Sequence, residues 1–524
     1  MKKLTFLLVA LLVLVVVFTA CNGDQSSVDT GTNAATGQTE PIEGTTEPPP
    51  AACTHIEGEW IVDAEATYTE EGARHTVCTL CGETVSTEVI PVIPLSEGLA
   101  FVSNGDGTCY VSAMDACTDA ILVIPSKSPA GDSVTAIGEN AFYDCNGIAT
   151  VVIPEGVTEI AMRAFYDCDN LVSIVVPSSM TSIGRMAFNS CDKLVEVVNN
   201  STMRITVGAI GNGSIATAAL EVHDGDSKLR NVDGFQFYID GARIYLLGYV
   251  GSETKLTLPE NYDGEDYEIY SYAFYGHQTL ESVVIPEGVT FIGEYAFYQC
   301  ARLTDVTVTA PVNIISDYTF TWCRSLVSVD LPDSVMRIGD SAFAECHELV
   351  DMKLPGRLKA IGKQAFSECH DLVDLSLPNG IQSIGEYAFS HCHSLTDLVI
   401  PEGVTDLSRN TFFWCSALTS VTLHESMAIL PDSFFYGCDS LESIVLPKYL
   451  EIIGTQAFAD CMMLDSIVIS ANTTLIEDSA FAYCFLLSDV YYTGSEAEWA
   501  AITVGAGNEY LLNANIHYGY VPEA

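Results

Sequence analysis

Phenylalanine stands at positions 274, 297, 320, 343, 366, 389, 412, 435, 458 and 481, each 23 residues after the last. Three residues behind it runs a cysteine column, Cys300, Cys323, Cys346, Cys369, Cys392, Cys415, Cys438, Cys461 and Cys484, with His277 in the first place. Leucine follows three further on, from Leu280 to Leu487. A fixed period of this length dictates a solenoid, because one unit cannot bury its apolar face alone and must stack on its neighbours.

One unit reads Ile384-Gly385-Glu386-Tyr387-Ala388-Phe389-Ser390-His391-Cys392-His393-Ser394-Leu395-Thr396-Asp397-Leu398-Val399-Ile400-Pro401. Leu398-Val399-Ile400 alternates as a strand does, and Pro401, which cannot donate to a ladder, ends it. Gly385 permits a backbone bend before the Ala-Phe pair. The expected coil is one short strand, a turn, and a compact helical or irregular return that carries Phe and Cys inward. Strands of successive coils then pair in parallel at ~4.8 Å. The pattern Leu-x-x-Val-x-Ile-Pro followed by Ile-Gly-x-x-Ala-Phe-x-x-Cys resembles the BspA-like leucine-rich repeat of microbial cell-surface proteins, over residues 134–200 and 267–493. That resemblance implies surface display and adhesion to host or neighbouring-cell ligands.

The front of the chain is of another kind. Met1-Lys2-Lys3, the apolar run Leu4–Phe18 and Thr19-Ala20 read as a signal peptide over residues 1–20. Phe18-Thr19-Ala20-Cys21 resembles a bacterial lipobox, which implies cleavage before Cys21 and a lipid on its sulfur; Phe18 stands where the family usually has leucine. An ordinary signal peptide or an uncleaved anchor helix are the competing readings. Residues 21–50, rich in Ser, Thr, Gly, Glu and Pro and lacking aromatics, read as a lipidated disordered tether. With 69 acidic against 21 basic residues the net charge is −48, which disfavours nucleic acid and anionic lipid as partners. Membrane contact is expected only through the N-terminal lipid, and the location is extracytoplasmic.

Residues 51–94 form a small module with Cys53, His55, Cys78 and Cys81, three thiolates and an imidazole that could hold a structural zinc. A disulfide or merely buried cysteines are the alternatives in an oxidising location. In residues 95–200, Leu99–Val111 reads as a hairpin around Asn104-Gly105-Asp106-Gly107, capping three repeats centred on Phe142, Phe165 and Phe188. Cys109 and Cys117 read either as a disulfide or as two buried thiols. The beat is then lost: His277 lies 86 residues beyond Cys191, not a multiple of 23. Within residues 201–266, Phe235–Leu247 repeats the hairpin plan and restarts the solenoid, leaving two blocks or one bulged body as open readings. Ten repeats fill residues 267–493, and residues 494–524, with Trp499, close the end.

The Phe, Cys and Leu columns read as core, cysteine acting as a small hydrophobe. Function is sought at outward positions. On the open strand face Asp351, Asp374 and Asp397 fall on consecutive coils, either as solvated carboxylates, with Lys353 beside Asp351, or as a weak calcium site. On the opposite edge aromatics recur beside the Cys column, and Tyr298, Trp322, Trp414 and Tyr436 are the candidate ligand anchors, packing against the next coil being the alternative. His347, His370 and His393 make a shorter ladder without a defined metal-ligand set. No Gly-x-Ser-x-Gly elbow, His-Glu-x-x-His, phosphate loop or dinucleotide fingerprint occurs, so no enzyme is expected. The expected function is a lipid-anchored surface solenoid that binds an extracellular protein or glycan. A structural spacer is the alternative, and a glycan-degrading enzyme a distant third.

Overall fold

The computed structural model describes residues 56–64, 72–80, 82–90, 95–114, 120–350 and 352–522. The leader, the tether, Cys21, Cys53, His55, Cys81, Cys117 and Asp351 lie outside the described residues. The first element is a three-stranded antiparallel sheet of Glu57–Ala64, Gly72–Cys78 and Thr84–Ile90. Among the described residues, those from 95 on form the solenoid and its caps.

Most coils contribute a strand after the leucine position, such as Asp397–Val399, which pairs in parallel with Ser420–Thr422 of the next coil; among the described residues no such strand forms between Ser328–Asp330 and Asp397–Val399, so this sheet is interrupted there. Leu398 points into the core while Asp397 and Val399 are exposed, as the alternation demands. A second strand, only two residues long, was not apparent in the repeat: Ser383–Ile384 pairs in parallel with Ala360–Ile361 and with Asp406–Leu407. The return is a pair of tight turns rather than a helix. Two residues in it take left-handed backbone angles, two before and two after the phenylalanine; Tyr387 has φ 57° and His391 φ 60°. Such angles are costly for residues with a side chain. They recur because they aim the intervening amides at the next coil, where Phe389 N donates to Thr411 O at 2.9 Å and His391 N to Phe413 O at 2.8 Å.

Gly385 does not serve as a bend. A methyl group there would lie 2.6 Å from the Gly362 carbonyl carbon and 2.6 Å from Lys363 N, so the glycine lets one coil's backbone rest on the preceding one. Inside, the phenylalanines stack: Phe366 lies 5.4 Å from Phe343 and 5.3 Å from Phe389, nearly parallel to both. The cysteine column does more than fill space. The Cys369 thiol donates to the Phe343 carbonyl at 3.2 Å, and the same bond repeats from Cys168 to Cys484. Burial raises the pKa of Cys415 to about 12, so this thiol stays protonated. Cys145 departs from its column, being disulfide-bonded. Cys109 carries a buried free thiol that donates to Asp132 O at 3.7 Å, so the reading of it as half of a disulfide does not hold.

The chain forms two blocks with separate cores, one running from Cys109 to Ala219 and the other from Phe235 to Leu511. Each starts on a hairpin. Leu99–Ser103 and Thr108–Met114 open the first; Phe235–Asp240 and Arg243–Tyr249 open the second, Arg243–Tyr249 then pairing in parallel with Tyr267–Ile269. The second hairpin also lies against the side of the first block, where Tyr238, Tyr245 and Leu247 cover Ala149, Val172 and Val195. The strand Glu196–Asn199, next to the edge strand Glu221–His223 of the first block, holds the buried Glu196, whose carboxylate accepts from Ser173, Ser227 and the Lys228 amide. Residues 494–522 close the far end: Asn515–Tyr518 extends one sheet, Thr503–Val504 the other, and Trp499 packs on Tyr492.

Candidate ligand-binding surface

The edge that follows each phenylalanine is built by the left-handed turn, which swings the residue two places on toward solvent. Trp322 (φ 65°) and Trp414 (φ 57°) occupy that position. The Arg324 guanidinium sits 4.4 Å from the Trp322 ring, a cation–π contact. Trp414 lies against Gly437, where a methyl group would be 2.7 Å from the indole, so the glycine makes its room. Tyr436 meets Trp414 at 6.2 Å and stacks on Phe413 at 4.9 Å. A hydrogen bond to Asp460, reinforced by burial, raises its phenol to about 12. Trp414 and Tyr436 thus share one aromatic cluster.

Tyr298 belongs to another. It stacks on Tyr275 at 5.1 Å and tilts against Tyr295 at 5.6 Å. Tyr295 is the middle of a ladder the sequence reading missed, Tyr272, Tyr295 and Tyr318, with centroids 4.9 and 4.6 Å apart. Its signal was a tyrosine recurring two places before the phenylalanine. Burial, then the carboxylate of Asp192 for Tyr272 and of Asp169 for Tyr275, raises both phenols to about 12. These rings lie half-buried and pack face to face across coils, so each presents its rim and hydroxyl outward rather than an open face.

Between the clusters stands the imidazole ladder, His347 to His370 at 4.5 Å and His370 to His393 at 5.2 Å. Glu345 pairs with His347 at 3.0 Å and Glu368 with His370 at 2.8 Å. Burial and the neighbouring His370 and His391 depress the pKa of His393. On the strand face Asp374 and Asp397 are exposed, and Asp397 accepts from the Thr396 hydroxyl at 2.7 Å. Among the described residues no group of three His, Cys, Asp or Glu side chains converges as a metal site. Cys78 of the suggested zinc set is buried, and its sulfur accepts from Leu80 N at 3.4 Å. Val327, Val350 and Val373, 40, 42 and 39 % exposed, occupy the repeat position that the second hairpin covers in the first block.

A parallel solenoid of coils near 23 residues, opened by hairpins and carrying its variable side chains outward, is a leucine-rich repeat protein. The chain belongs to the family of the BspA type leucine rich repeat region, whose pattern matches residues 126–238, 267–376 and 359–488. Among solved structures it is similar to a leucine-rich repeat protein from Bacteroides ovatus, at 24% identity and TM-score 0.47, covering 81% of this chain and 99% of that one. It is also similar to a leucine rich cell surface protein from Faecalibacterium prausnitzii, at 26% identity and TM-score 0.34, covering 79% and 98%. The pneumococcal vaccine antigen PcpA is similar at 16% identity and TM-score 0.34, covering 82% and 98%. No curated protein matches. Family membership points to a surface or protein-interaction role.

Proposed function

We propose that this is a lipid-anchored, extracytoplasmic surface protein that binds an extracellular protein or glycan along its repeat faces and has no enzymatic activity of its own. One observation carries the reading: on a rigid, fully buried core, the outward columns vary from coil to coil and gather aromatic side chains into two clusters, around Tyr298 and around Trp414. Extended solenoid faces recognise partners in this way, with tyrosine and tryptophan as anchors. The leader and Cys21 support export and anchoring. A glycan and extracellular-protein array screened with the purified chain tests it. The expected result is a hit that Tyr298→Ala or Trp414→Ala weakens. Silence across a broad panel would favour a spacer without a ligand.

A further inference from the structure

At the far end of the second block the outward columns change character. The two positions after each cysteine are polar or small in coil after coil: Arg324 and Ser325, His347 and Glu348, His370 and Asp371, Ser416 and Ala417. In the last two coils they become Met462 and Met463, then Phe485 and Leu486. These are 41, 46, 56 and 51 % exposed, and Tyr483 beside them is 54 % exposed. The C-terminal cap does not cover them, although Tyr510 meets the Phe485 ring edge-on at 5.3 Å. Large apolar side chains clustered at one place on a surface mark an interaction site, and methionine adapts to irregular partners.

Beside this patch lies a charge without its counterpart. Asp439 holds the position directly before Met462 in the same column, and its Oδ1 is buried with no hydrogen-bond partner. A buried carboxylate oxygen left unpaired is costly, and a cation supplied from outside removes that cost. Asp460, on the next coil, adds a second negative charge close enough to raise the pKa of Asp439, after burial itself.

We propose that this edge of the last coils docks a cationic, apolar polypeptide segment of a partner protein, its apolar side chains seated on Met463, Phe485 and Leu486 and a lysine or arginine received by Asp439 and Asp460. Charge complementarity selects this occupant over a second copy of the chain. Each copy carries a net charge of −48, so two such rims would repel. The inference extends the binding reading to a separate place, and Leu486→Asp and Asp439→Asn change neither an anchor residue nor Asp460, the hydrogen-bond partner of Tyr436, so the two fail independently.

The probe is a fluorescent synthetic peptide of leucine and lysine in helical amphipathic order, compared with a serine-for-leucine control of equal charge and a glutamate-for-lysine control. Binding to the full chain is read by anisotropy at physiological salt. The leucine–lysine peptide is expected to bind, with affinity reduced at least about tenfold by Leu486→Asp and by Asp439→Asn. Both controls are expected to bind no better than background, the melting curve of Leu486→Asp to stay unchanged, and that of Asp439→Asn to stay or rise, since it removes an unpaired buried charge. Equal binding of the serine control, or no loss in the variants, would assign the effect to diffuse charge and overturn the proposal. A concentration-dependent dimer that Leu486→Asp abolishes would overturn it too, by making the patch a contact between copies.

Discussion

The ammonium of Lys193, in the third repeat of the first block, donates to the Ala273 carbonyl in the second block at 2.8 Å and to Asn170 Oδ1 at 2.8 Å. A lysine 3 % exposed has exchanged its hydration for two neutral acceptors, and this contact joins the two solenoid blocks beside the covered column of Ala149, Val172 and Val195.

Burial lowers the pKa of Lys193 from 10.5 to about 7, with Asp169 acting in the opposite direction. Asp169 is itself raised to about 6, by burial and by Asp167. Asp192 and His277 also face this junction. The sign for Lys193 follows from linkage. Its folded pKa lies below its unfolded one, so between about pH 7 and 10.5 the unfolded chain binds more protons, and stability from this group rises with pH. The stability difference between the wild type and Lys193→Met should therefore shift in favour of the wild type from pH 7 to pH 9, by at most about 1.4 kcal/mol per pH unit. Urea unfolding at the two pH values checks it. A flat difference would mean that the lysine is solvated and the junction open.

Phe366→Ala removes one ring from the middle of the stack and should cost roughly 3–5 kcal/mol, because coils above and below share the cavity. Phe366 is 1 % exposed and touches both neighbours. Calorimetry should show the second block melting earlier while the first is unaffected.

Gly385→Ala and Gly356→Ala separate close approach from backbone freedom. Neither glycine has a positive φ, but a methyl group at Gly385 meets backbone at 2.6 Å while one at Gly356 meets nothing within 4 Å. The first should destabilise by about 1–3 kcal/mol and the second should be neutral or slightly stabilising. Equal effects in thermal melts would remove the packing argument.

Cys21→Ala should release the protein into the medium or leave the leader uncleaved, since two acyl chains on that residue suffice for stable attachment. Fractionation with immunoblotting reads the outcome. A variant still processed and held in the membrane fraction would sink the lipoprotein reading.

The solenoid was legible because its core columns repeat without a single insertion from Phe274 to Phe481. Burial acts alike on every coil and so leaves the same residue each time. The strand face was legible for the same reason, Leu398 inside and Asp397 outside. The left-handed turns were not, because their positions mostly hold residues such as tyrosine, histidine, glutamine and glutamate, with glycine at Gly276 and Gly437; hydrogen bonds to the next coil, not local propensity, fix those angles. The two-residue strand at Ser383–Ile384 is too short to show alternation. The role of Gly385 depended on how near another coil's backbone comes, which no single coil encodes. Likewise the junction at Lys193 unites residues 80 apart with no shared period.

The amides aimed at the next coil have a consequence for size. Each coil exchanges its repeating hydrogen bonds with its immediate neighbours, forward as Phe389 does to Thr411 and back as Cys392 does to Phe366, so no coil fixes the total number. The second block can gain or lose a whole coil while its starting hairpin, its terminal lid and its contact with Lys193 remain as they are. Its reach is thereby adjustable in increments of about 4.8 Å, like a ruler cut at any mark. Loss of part of a coil has no such tolerance, because it would set every later phenylalanine out of step with its stack.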